Sequence, residues 1–86
     1  MNIKLNIVND KFSNLSLHAF GNLFININEY TIDEDLEVMF ASIGVLKGKS
    51  YQTIDGETYK VLDFSLLNEW ENRSNEPTVK IDMRKL

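Results

Sequence analysis

Apolar residues or glycine recur at every second position in three stretches of this chain, and a period of two is the period of a pleated strand. The longest run covers 15–27, where every odd position is apolar or glycine: Leu15, Leu17, Ala19, Gly21, Leu23, Ile25 and Ile27. Near the start, residues 2–8 place Ile3, Leu5 and Ile7 on one face, with Asn2, Lys4 and Asn6 on the other. The tail "TVKIDMRKL" sets Val79, Ile81 and Met83 against Lys80, Asp82 and Arg84. A chain patterned this way is built around a sheet.

Within 15–27, Gly21-Asn22 would suit a two-residue hairpin loop. Closing a hairpin there pairs Phe20 with Leu23 and Leu17 with Asn26, which mixes apolar and polar residues on each face. Unbroken alternation avoids that conflict. The expectation is therefore one long strand, bent or bulged at Gly21. The tail strand is expected to run antiparallel and to lie at a sheet edge, because charged outer positions blunt edge pairing.

One segment has a helical period instead. Leu36, Met39, Phe40 and Ile43 follow the i, i+3, i+4, i+7 spacing of a buried stripe. Thr31 and Glu34 fit a capping box at its start, and Lys47-Gly48-Lys49 fits a left-handed stop with cations at the dipole's negative end. The helix is expected over about 32–47. Next, Asp55-Gly56 lies between β-rich flanks, which predicts a hairpin of strands 50–54 and 57–63. "SLLNEWENR" reads as a short helix capped by Ser65, with Leu66, Leu67 and Trp70 inward. The order is ββαββ(α)β: one small α+β domain over 1–86, a mostly antiparallel sheet with one principal amphipathic helix packed on it.

At 86 residues and without cysteine, the chain has neither disulfide nor thiolate metal site to supplement a modest core. A homodimer covering leftover apolar surface is consistent with that size. No apolar run reaches the length of a membrane-spanning helix, and the alternating N-terminus lacks the apolar core of an export signal, so the cytoplasm is the expected location.

Net charge is −4, and its placement matters more than its total. Residues 1–46 hold six acids and two bases, whereas 47–86 hold seven of each. Glu29, Asp33, Glu34, Asp35 and Glu37 fall within nine residues that contain no base. Direct nucleic-acid binding needs a basic stripe, and anionic membranes disfavour the same sign, so neither partner is expected.

The bland account of those five acids is compensation of the helix dipole, which one or two would satisfy. The surplus suggests a recognition surface for a basic partner, since opposite fields speed encounter and set register. No calcium loop is present, because its glycine and terminal bidentate glutamate are missing. His18 is the one histidine, too few for a histidine zinc site and without a nucleophile elbow to serve. Asp55-Gly56-Glu57 is explained by the turn. No phosphate-cradling glycine loop occurs. No cofactor, metal or catalytic constellation is therefore expected.

Phe20 and Phe24 share the even face of 15–27 with Asn22, Asn26 and Asn28. They either lie under another element or form an exposed aromatic–amide face of the kind found at interfaces. Tyr51, Tyr59 and Trp70 are further candidate anchors. The chain thus reads as a small acidic protein-binding module, an inhibitor or neutraliser of a basic partner such as a nuclease or toxin. Its candidate residues are Glu29, Asp33, Glu34, Asp35, Glu37, Phe20 and Phe24. Immunity proteins, antitoxins and anti-defence inhibitors share these gross properties, an analogy of physical type alone. The alternative is a self-associating assembly subunit without catalytic activity.

Overall fold

The computed structural model describes residues 2–25, 35–67 and 77–86. Strands β1 (Asn2–Ile7), β2 (Ser50–Gln52), β3 (Thr58–Leu66) and β4 (Thr78–Lys85) form one sheet in the order β1-β4-β3-β2. Helix α1 (Leu36–Ser42) packs on β3. The architecture is α+β with a mixed sheet: β1 runs parallel to β4, while β3 is antiparallel to both β4 and β2.

β4 is an inner strand, not the expected edge. Its apolar positions are fully buried, with Val79, Ile81 and Met83 at 0% exposure. They sit in register with Ile3, Leu5 and Ile7 on one side, and with Leu66, Phe64 and Val61 on the other. The charged positions Lys80, Asp82 and Arg84 alternate with them and so line the outer face of the sheet. Polar alternation reports which face meets solvent and is silent about which strand lies at the edge. Burying such side chains contributes about 1.5–3 kcal/mol each relative to exposure.

A bulge between Val61 and Asp63 shifts the phase of β3. Tyr59 and Val61 face the core before it, and Phe64, opposite Ile81, faces the core after it. Without the extra residue, strict alternation would turn Asp63 and Ser65 inward. β3 continues to Leu66, so the helix expected to start at Ser65 does not begin there. Leu67 follows without helix, its N–H bonded to the Thr78 carbonyl, and the positions from Asn68 on, Trp70 included, lie outside the described residues.

The long strand over 15–27 is not formed. Leu17–Phe20 make a 3₁₀ turn, and turns follow through Ile25. Phe20 and Phe24, four apart, are both buried, with centroids 6.1 Å apart in an edge-on contact, and Phe20 meets Tyr59 at 5.9 Å. The Ala19 carbonyl accepts the Ile54 N–H at 2.9 Å, which ties this segment to the hairpin. Burial of two phenylalanines outweighs the strand propensity of the run.

α1 is shorter than expected. Asp35 caps it, its carboxylate accepting the Glu37 N–H at 2.9 Å, while Thr31 and Glu34 lie outside the described residues. Gly44 stops it, well before Gly48. The Val45 N–H reaches the Phe40 carbonyl (2.9 Å) and the Gly44 N–H reaches that of Ala41 (3.0 Å), a Schellman arrangement with Gly44 at φ +85°. Phe40 and Val45 supply its apolar contact and are fully buried. The expected stripe holds: Met39 and Phe40 are in the core, with Leu36 and Ile43 half-buried beside it.

The Asp55-Gly56 hairpin is present. The Thr53 N–H donates to the Glu57 carbonyl (2.7 Å), the Gly56 N–H donates to that of Thr53 (3.0 Å), and Gly56 takes φ +90°. That is a type I turn closed by a left-handed glycine.

Candidate partner-binding surface

The chain that carries the acidic cluster enters α1 at Asp35, next to β3. Asp35 and Glu37 are both exposed. With Leu36, Phe64 and Asp63 they line a shallow hollow of about 230 Å³. β3 thus adds a third carboxylate from a residue 26 positions beyond Glu37, and no local signal in the sequence marks it.

These three acids are not equivalent. Asp63 is held below the usual carboxylate range, first by the Phe64 N–H (2.9 Å) and then by the Lys47 ammonium at 3.4 Å. Asp35 is engaged by its capping bond to the Glu37 N–H. Among the described residues neither Asp35 nor Glu37 forms an ion pair. Local cations therefore offset only part of this surface. Glu29, Asp33 and Glu34 lie outside the described residues.

Phe20 and Phe24 do not belong to a partner-binding surface. At 7% and 5% exposure they are core residues, and the exposed aromatic–amide face is corrected accordingly. Tyr59 is likewise buried, and its hydroxyl donates to Glu57 Oε2 at 3.0 Å. Lys85 Nζ reaches Glu57 Oε1 at 3.0 Å. Burial, followed by the neighbouring Glu57, pushes the Tyr59 phenol up, whereas the Lys85 bond draws the Glu57 carboxyl down. This cluster pins the hairpin to the end of β4. The Tyr51 hydroxyl accepts the Leu46 N–H (2.7 Å) and donates to the Gly44 carbonyl (2.8 Å), holding the chain that leaves α1.

His18 is exposed on the 3₁₀ turn. Among the described residues no three of His, Cys, Asp and Glu converge as metal ligands would, and no helix is long and apolar enough to cross a membrane. Compared with known protein families, characterised proteins and solved structures, the chain matches none.

Proposed function

We propose that this chain is a small acidic protein-binding module that docks a basic partner on the surface bearing Asp35 and Glu37. The observation that carries the reading is that both carboxylates are exposed and lack an ion pair among the described residues. Glu29, Asp33 and Glu34, close by in sequence, add to the same charge block. A field of one sign attracts a partner of the other and orients its approach. An inhibitor or neutraliser of a cationic protein, for instance a nuclease whose nucleic-acid groove it would occupy, is the activity that suits such a surface.

Capture from a host lysate with two baits tests this. The wild-type chain should retain a protein of high isoelectric point, increasingly as salt is lowered. Asp35→Asn combined with Glu37→Gln keeps shape and capping capacity while removing two charges, and it should lose that protein. Equal retention by both baits at every salt concentration would refute the reading. A self-associating subunit is the second reading, favoured by the outer edge of β1, which pairs with no strand among the described residues.

A further inference from the structure

We propose that the outer edge of β1 is a self-pairing interface, at which two copies of this chain join antiparallel about Leu5 and continue their sheets as one. The proposal deepens the self-association reading and is independent of the acidic surface.

Among the described residues β1 pairs with β4 alone. In a parallel ladder successive residues offer N–H and C=O to opposite sides. The Asn2 N–H bonds the Pro77 carbonyl at 2.9 Å and the Val8 N–H bonds that of Met83 at 2.8 Å, so even positions serve β4. Ile3, Leu5 and Ile7 therefore direct their amide groups away from the sheet. The Ile7 carbonyl accepts the Asp10 N–H at 3.2 Å, and the others have no partner among the described residues. Such a row is a template for another strand.

Two hollows border β1. A hollow of about 780 Å³ runs from Lys4 to Ser13, and a second of about 390 Å³ joins Ile3–Leu5 to Ser13–Leu17. On the wall of the first, Phe12 is 96% exposed, the most exposed large apolar side chain among the described residues.

The strand's own sequence identifies the occupant. With a two-fold axis at Leu5, Leu5 opposes Leu5 of the second copy and Ile3 opposes Ile7, all on the core face. The Leu5 pair can exchange both backbone bonds and each Ile3–Ile7 pair can form the one from the Ile7 N–H to the Ile3 carbonyl, the Ile7 carbonyl being taken by the Asp10 N–H. On the outer face Lys4 then opposes Asn6. An axis at Lys4 would instead set two lysines directly opposite each other, which disfavours that register. Self-complementarity of this kind is what an isologous interface requires.

Sedimentation of the intact protein from low micromolar to submillimolar concentration, with amide exchange followed in parallel, tests the proposal. A dimer is expected, with exchange at Ile3 and Leu5 slowing as concentration rises. Asn6→Lys sets lysines opposite Lys4 of the second copy while leaving a cation beside Asp82, and it should weaken the dimer by about tenfold at low salt. Adding Lys4→Glu should restore it. Phe12→Ser, at an exposed site, should weaken the dimer without lowering the melting temperature of the dilute monomer. A monomer at every concentration refutes the proposal, whether the β1 amides exchange freely (an edge open to a foreign strand) or are protected (an edge covered by the chain itself). A dimer whose Ile3 and Leu5 amides stay concentration-independent, or one that the paired charges fail to rescue, refutes it equally. None of these outcomes bears on capture through Asp35 and Glu37.

Discussion

The rings of Phe40 and Phe64 are stacked, with centroids 4.6 Å apart and planes within 6° of parallel. Phe40 belongs to α1 and is fully buried; Phe64 belongs to β3 and owes its inward orientation to the bulge after Val61. This contact fastens the helix to the sheet. Phe40→Ala is expected to lower stability by roughly 3–5 kcal/mol, since it removes a fully buried ring from the core. Phe64→Ala should be milder, because that side chain is only half-buried. Urea denaturation of the two variants checks both the size and the order.

Asp35 caps α1, and substitution separates that role from the docking role proposed for its charge. Asn retains the capping acceptor and Ala does not. Asp35→Ala should therefore destabilise the chain by about 0.5–2 kcal/mol, with Asp35→Asn close to wild type. If the charge matters for docking, Asp35→Asn should still reduce partner capture. Thermal melts alongside capture assays distinguish the two effects.

Gly44 lies at φ +85° with nothing within 4 Å of the position a Cβ would take. A penalty there comes from the backbone and not from a clash. Gly44→Ala is expected to cost roughly 1–2 kcal/mol, and Gly44→Asn less, because asparagine tolerates the left-handed region better. Equilibrium unfolding of both variants is the measurement.

Stability should fall at both ends of the pH scale. Glu57 and Asp63 are held below their ordinary values of 4.5 and 3.8, so unfolded chains take up protons first as pH drops. Their contribution is present above those values and is lost as pH falls through the lower folded-state ones. Tyr59 and Lys85 are raised above 10.0 and 10.5, so on the alkaline side the unfolded chain loses protons first, and stability declines as pH rises past those values. Lys85→Met should flatten the alkaline slope and weaken the acidic one, because it removes the main partner of Glu57. Urea midpoints measured across pH report both arms.

Where bonding is local, the sequence was legible. The Asp55-Gly56 turn and the Met39–Phe40 stripe follow from neighbouring residues, and both are present. The helix stop was misplaced because Lys47-Gly48-Lys49 carries the charges that favour a terminus, whereas Gly44 acts through the burial of Val45 against Phe40. The run 15–27 misled for a related reason. Its alternation conceals Phe20 and Phe24 at a spacing of four, and only the pocket beside Tyr59 makes that second pattern win. Of the candidate site, Asp35 and Glu37 were visible as part of a charge cluster, while Asp63 joined them through the path of β3.

The sequence by itself determined which residues turn, cap and alternate, because those preferences are set by contacts within a few positions of the chain. Only the tertiary structure decided that β4 lies inside the sheet, that Phe20 and Phe24 are core, and that β1 pairs with β4 alone among the described residues. Those outcomes depend on partners such as Ile3 and Val79, which meet across almost the whole chain. The free energy of such meetings is shared among many side chains at once and is not contained in any short stretch.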